Sequence, residues 1–399
     1  MPLSTALALA IASSVNATGL PGRPPTGPLA RDDARRYDVS FEVTLVSDTE
    51  FRPRRDGDEL RFVDRNGRQT AGFRRFNHKF ELNASSFVMP VAAITTWSRT
   101  DLTSLRTQVW GDGRQLDASS FQRDLTVNLP YGMQSAVTDL PSFNGRDLRW
   151  EASQQTIVWS SIIDDAAAVE LPWPDSYPAE VADGLAPQRF IESGHPDFRR
   201  VITELFGNDV TAVAPYVAAK RIAGHVARNF RVTQTDVIRI YGGNIDGFDV
   251  VGARRSMELG FGTDADMVCV TVALMKAAGI PARPVIGVWE EEAREGGREK
   301  LDSWVEFYLH GAGWVPVNIE KLNDVSSWRE AGYNQAWPEF GTWDELNERV
   351  PIAFDFVPVG WDSAQLPAVY GWFADPSPDS TGYPVQLIKI ELEDRGRVR

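Results

Sequence analysis

One cysteine and four histidines in 399 residues leave little raw material for thiol, imidazole or zinc chemistry. A lone Cys269 excludes a disulfide framework and any metal site built from several thiolates. Basic residues are in the minority too: 41 Lys and Arg face 55 Asp and Glu, for a formal charge of −14. Nucleic acid and anionic membrane surfaces both demand clustered cations, so neither is an expected partner. Long apolar runs are also missing. The one stretch of that kind lies in residues 1–19 (MPLSTALALAIASSVNATG) and is too short and too rich in Ser and Thr to span a bilayer. Its small residues Val15-Asn16-Ala17 fit a signal-peptidase site, although no charged segment precedes them. Export to the periplasm or the exterior, on an atypical signal peptide, is the expectation.

What remains is ordinary for a globular protein, at 43% apolar and 24% charged, and long enough for two or three cores. Thirteen Trp residues suit stacking on sugars or peptides, but most Trp in any fold is core. After the first 19 residues a Pro/Gly-rich stretch reads as a linker, taken as residues 20–36. Residues 37–175 alternate with period two. Candidate strands are Tyr37–Val46, Phe80–Leu82, Phe87–Ile94, Leu105–Trp110, Leu125–Leu129, Leu148–Ser160 and Ala168–Leu171, which suggest an antiparallel β-sandwich. From Phe190 the period becomes helical, with stripes at Phe198, Val201, Ile202, Leu205 and at Tyr216, Ile222, Ala223, Val226. Phe354–Gly360 and Tyr383–Leu392 read as closing strands, so residues 176–360 form a second, α+β domain and residues 361–399 a C-terminal strand extension.

The most informative stretch runs from Gly262 to Asn318. Asp264 suits a helix N-cap, residues 267–275 are almost all apolar, and Gly279 and Pro281 end the helix. Arg283–Trp289 is of strand type. An acidic insert, Glu290–Lys300, reads as a loop over whatever lies beneath. Then Val305, Phe307 and Leu309 alternate with Asp302, Trp304, Glu306 and Tyr308, His310–Gly313 turns, and Trp314–Asn318 returns. With the turn centred near His310 and Gly311, residue 302 is expected opposite residue 318 to within one position, with Cβ atoms about 4.5–5.5 Å apart if paired.

A helix ending in GIPAR, a strand, and a hairpin reading W-x-E…G-x-G-W-V-P-V together resemble the core of the transglutaminase-like superfamily, whose fold is papain-like. The resemblance covers roughly residues 180–360. It implies a nucleophilic Cys in a G-x-C context at the helix start, a His two positions before the Trp of W-x-E, and an Asp ending the last strand. Here those positions hold Asp264, Asp302 and Asn318. The frame is intact and all three members of the implied triad differ.

An Asp at a helix N-terminus is a poor nucleophile toward amides, and Asp302 offers no base near neutral pKa. Cys269 sits about 140° round the helix from Asp264 and reads as a small buried hydrophobe. Thiol-dependent cross-linking and proteolysis are therefore not expected. Two classes remain. One is a non-catalytic module that binds a peptide or a carbohydrate polymer, with Asp266, Trp304, Glu306 and Trp314 as contact residues beside Asp264, Asp302 and Asn318. The other is a carboxylate-dependent hydrolase of glycoside-hydrolase type, with Asp264 and Asp302 as an acid/base or acid/nucleophile pair. A variant collects Asp264, Asp266, Asp302 and Asn318 as oxygen ligands for Ca²⁺ or Mg²⁺, although no metal and no cofactor is the preferred expectation. Each residue also has an ordinary role open to it: helix cap for Asp264, strand end for Asp302, turn former for Asn318, packing for the others.

Overall fold

The computed structural model describes residues 24–47, 52–56, 59–63, 80–82, 85–117, 122–126, 135–140, 142–233, 237–239, 246–248, 250–290, 299–357 and 384–398. The expected export segment and most of the acidic insert lie outside them. The fold is α+β with antiparallel sheets. Its first sheet is built on β1 (Leu29–Ser47), β2 (Ser98–Gly111) and β3 (Asp147–Ile163). β1 and β3 pair antiparallel, setting Val43 against Trp150 and Phe41 against Ala152. Tyr37, Val39, Phe41, Val43 and Leu45 all point to the core. Full burial of such side chains stabilises by about 1.5–3 kcal/mol each, which fixes the register, since a slip of one residue would turn the row to water. A separate three-stranded sheet joins Ser85–Pro90, Ser135–Leu140 and Gln122–Thr126.

Two expected elements change. Ala168–Leu171 is not a strand: Asp165–Ala168 is a single helical turn, because the Asp164 carboxylate caps the Ala167 N–H at 3.1 Å. The turn places Asp165 for a buried network described below. Nor do residues 24–36, the described part of the expected linker, run free. β1 already begins at Leu29, and the Thr26 N–H donates to the Ala312 carbonyl at 2.9 Å. Gly27 packs so closely on the Gly311 carbonyl that a Cβ would approach to 2.8 Å, at a φ of +60°.

The second unit opens with α1 (Pro196–Phe206), α2 (Pro215–Asn229) and α3 (Ala253–Leu259), followed by the buried helix α4 (Asp264–Ala277). α4 is buried on every side, so its helicity comes from enclosure rather than from the propensities of Val268, Val270 and Val272. It ends in a Schellman motif: the Ile280 N–H donates to the Met275 carbonyl at 2.9 Å and the Gly279 N–H to Lys276 at 3.0 Å, with Gly279 at φ +80°. Against α4 lies a four-stranded sheet made of β4 (Ala282–Glu290), β5 (Glu299–Leu309) and β6 (Gly313–Val317), the short helix α5 (Ile319–Asp324) following, and β7 (Arg349–Ala353), in the order β6-β5-β4-β7. The strand expected at Phe354–Gly360 falls earlier, in β7, because Val350 and Pro351 pair with β4; Phe354–Val357 are bends, and residues 358–360 lie outside the described set. β8 (Pro384–Arg397) then returns to the first sheet beside β1. The first sheet therefore contains both the N-terminal and the C-terminal strands.

The two units share their interior. The Trp97 indole N–H donates to the Trp314 carbonyl at 3.1 Å, and Ser161 and Trp343 exchange backbone bonds at 3.2 and 2.9 Å. Fully buried Lys220 on α2 is paired with Asp165 and donates to the carbonyls of Gln335 at 2.8 Å and Tyr333 at 3.1 Å. Tyr216 donates to the same Asp165 oxygen at 2.7 Å. A buried ammonium needs partners of this kind on every side.

Candidate functional site

The helix start is organised differently from the sequence expectation. Thr263, not Asp264, is the N-cap of α4. Its hydroxyl accepts from the Asp266 N–H at 3.1 Å, and Asp266 accepts in return from the Thr263 N–H at 3.3 Å, a reciprocal capping box. The correction has a physical reason: Thr263 has the extended backbone of a cap, whereas Asp264 is already the first helical residue. Asp266 is thereby turned inward. Its other oxygen accepts from the N–H groups of Val251 and Gly252, both at 3.0 Å, and burial raises its pKa against the pull of those bonds. Gly262 is required here, because a Cβ would come within 2.8 Å of the Asp266 carboxylate.

Freed from capping, Asp264 stands half-buried at the helix mouth. Burial, then the charges of Asp324 and Asp302, push its pKa up to about 6. The positive end of a helix should favour the ionised form. Desolvation and two like charges outweigh it. Glu320 on α5 is raised to about 7, by burial first and then by Asp264, Asp302 and Asp324, with Arg349 opposing. The whole Glu320 residue is exposed, but three neighbouring carboxylates give the same upward direction as the desolvation does.

Asp302 is committed elsewhere. Its Oδ2 accepts from the Arg349 Nε at 2.7 Å, and its Oδ1 accepts from the Ser303 N–H at 2.7 Å. Arg349 lies 4.8 Å from the centre of the Trp343 ring and 5.3 Å from that of Trp289. Asn318 caps α5, accepting from the Lys321 N–H at 3.1 Å, and its amide donates to Glu339 Oε2 at 2.6 Å. The Asn318 N–H also donates to the Glu339 carbonyl at 3.0 Å, a two-point grip that holds Glu339 at a left-handed φ of 48°. The expected pairing of residues 302 and 318 is shifted. Leu309 pairs with Gly313 and Val305 with Val317, so the turn centres on Gly311 and the ladder ends before Asp302 and Asn318, which do not face each other.

Of the remaining candidates, Glu306 and Trp304 belong to the interior, and Trp314 is half-buried. Glu306 is ion-paired with Arg283 on the neighbouring strand, at 2.9 Å to Nε and 2.6 Å to Nη2, and both are buried. The Arg283 guanidinium lies 4.1 Å from the centre of the Trp314 ring and 3.9 Å from that of Phe354. Trp304 sits over Gly287, where a Cβ would come within 2.5 Å of its ring, and meets Trp343 edge-on at 6.0 Å. Cys269 is fully enclosed and its thiol pKa is driven well upward by that burial. Among the described residues no group of three or more His, Cys, Asp or Glu side chains is placed to hold a metal ion, and Asp266 turns away from Asp264 and Asp302.

The arrangement is thus an acidic mouth where Asp264, Asp302, Glu320 and Asp324 influence one another, with Arg349 as the cation inserted among them. Glu320, Asp324, Glu339 and Arg349 were not singled out from the sequence. They lie far along the chain or on a helix too short to show a period, and no local signal marks them.

Comparison with known proteins bears on the fold. The family profile of the transglutaminase-like superfamily matches residues 206–319. A solved structure described as a "putative cysteine protease", from Cytophaga hutchinsonii, superposes with a TM-score of 0.50 at 13% identity, over 93% of this chain and 94% of that one. At that identity the likeness speaks for the fold. A second structure, described in the same terms as a protease from Parabacteroides distasonis, aligns over 73% of this chain and 66% of its own at 11% identity, with a TM-score of 0.23, and nothing rests on it. No curated protein matches the chain. Residues 206–319 thus form a transglutaminase-like domain by the profile match, on a fold shared with the first of these structures.

Proposed function

We propose that this protein is an exported binding module on a transglutaminase-like frame, without thiol catalysis, whose partner is a peptide or a carbohydrate polymer. The observation that carries it is the Asp302–Arg349 ion pair. The position where a thiol enzyme needs a titrating base holds a carboxylate already neutralised by a guanidinium. The other two positions support the reading. Asn318 is spent on capping and on Glu339, and the chain's one thiol is enclosed in α4. A thiolate nucleophile needs an accessible sulfur, and Cys269 is fully enclosed, its thiol held protonated by burial.

The test is direct. Full-length protein is incubated with a labelled primary amine and a Gln-rich acceptor, with and without iodoacetamide. No incorporation is expected in either arm. Turnover that the alkylator abolishes would overturn the reading.

A second reading is favoured by the raised pKa of Asp264. A carboxyl that keeps its proton to about pH 6 can act as a general acid, and a carboxylate hydrolase of glycosidase type needs such a group opposite an ionised one. In that reading Asp302 is the ionised partner, and Glu320 competes with Asp264 for the proton. Hydrolysis of aryl glycosides that rises toward acid pH, and is lost in Asp264→Asn with folding preserved, would replace the module by this enzyme.

A further inference from the structure

A polar concavity lies on the first sheet, remote in sequence from the acidic mouth. It is a hollow of about 690 Å³ on the outer face, touched by residues of β8, β1, β3 and β2. Its origin is a break in pairing. Ser153 pairs with Arg106, but Gln155 pairs with Asp101, so residues 102–105 of β2 bulge opposite Gln154 alone. The bulge is stabilised by Ser104, whose hydroxyl accepts from the Gln155 N–H at 2.8 Å.

The floor is laid out in register. Glu391 of β8 pairs with Ser40 of β1, Ser40 with Ser153 of β3, and Ser153 with Arg106 of β2. One transverse row therefore runs from a carboxylate through two hydroxyls to a guanidinium. The next row sets Asp38 against Gln155, whose amide donates to the Asp38 carboxylate at 3.0 Å. Ser40 and Ser153 are half-buried, and their hydroxyls engage no hydrogen-bond partner among the described residues.

This chemistry is selective by exclusion. Val39 and Leu392 are the apolar residues of the lining, which is too little to hold a lipid or a hydrophobic side chain. Asp38 and Glu393 are ion-paired with Arg395 and Glu391 with Lys389, so with Arg106 the charges around the hollow balance, and a polyanion finds no net positive field. The floor is a sheet face in which β1 and β3 are paired on both sides, so a peptide finds no free backbone edge to extend. Hydroxyl, amide and carboxylate groups follow one another across strands about 4.7–4.9 Å apart. That alternation of donors and acceptors, at close to the length of one sugar ring, suits a chain of neutral sugars.

We propose that the hollow across Glu391, Ser40, Ser153 and Arg106 binds a neutral glycan chain. The inference rests on the binding-module reading above but not on its acidic mouth. The full chain is run through native gels containing xylan, galactomannan or mixed-linkage β-glucan, with bovine albumin as the unretarded reference. Retardation in at least one gel is expected. Ser153→Trp, which fills the floor, is expected to weaken binding at least tenfold, and Glu391→Gln, on the exposed rim, about threefold or more, with thermal unfolding monitored for both. Glu391→Gln alone decides the matter if Ser153→Trp unfolds. A wild type unretarded in all three gels, or sheet variants that bind like it, overturns the glycan site. Binding lost in Asp264→Asn but kept in Ser153→Trp would also overturn it, while leaving the module reading in place.

Discussion

Asp264→Asn is expected to stabilise the protein at pH 8 and to leave it unchanged near pH 3.5. The folded pKa is raised from 3.8 to about 6, so the folded state holds this proton more tightly than the unfolded chain does. Its contribution is fully present below the unfolded value and is lost as pH rises through about 6. The gap of roughly two units corresponds to a ceiling of about 3 kcal/mol at about 1.36 kcal/mol per unit. Asp264 is only half-buried, and solvent screening brings the expected gain to about 1 kcal/mol. The assay is urea unfolding of both proteins between pH 3.5 and 8, avoiding guanidinium because its salt would screen the effect. A variant that is less stable at pH 8, or shifted equally at both ends of the range, would refute the picture of Asp264 as a carboxyl crowded by Asp302 and Asp324.

Thr263→Ala should cost about 0.5–2 kcal/mol in chemical denaturation, as loss of an N-cap does, and Asp264→Ala should show no such loss at neutral pH; the reverse order would return the cap to Asp264. Arg283→Ala strands the buried Glu306 carboxylate and should cost about 3–5 kcal/mol, whereas Arg349→Ala, at a partly exposed pair, should cost markedly less. Native protein treated with iodoacetamide should show no mass adduct at Cys269 until denaturant is added, and rapid labelling of the folded chain would contradict its enclosure.

The local features of the site are legible because they are written in short-range physics. Period-two alternation over 303–309 marks β5, and the Gly279-Ile280-Pro281 stop marks the end of α4. The hairpin register is not legible in the same way. A turn centred on Gly311 and one centred half a residue earlier, between His310 and Gly311, fit the stretch His310–Gly313 equally well. That half-residue moves every cross-strand partner by one position, which is enough to take Asp302 away from Asn318.

Sequence alone determined that one Cys and four His are all that thiol chemistry could draw on, because their count and spacing are properties of the chain. It determined the helix-strand-hairpin frame around Asp264, Asp302 and Asn318 for a related reason: alternation and stops act within a few residues. Only the tertiary structure decided what those three residues do. Arg349 reaches Asp302 across 47 positions and Glu339 reaches Asn318 across 21, while Glu320 and Asp324 meet Asp264 only once α5 is folded back on α4. The return of β8 to β1, and with it the Glu391–Ser40–Ser153–Arg106 row, is likewise invisible in the sequence. Strand alternation says which face a residue takes, but not which distant strand will lie beside it, since that choice is made by the packing of whole sheets.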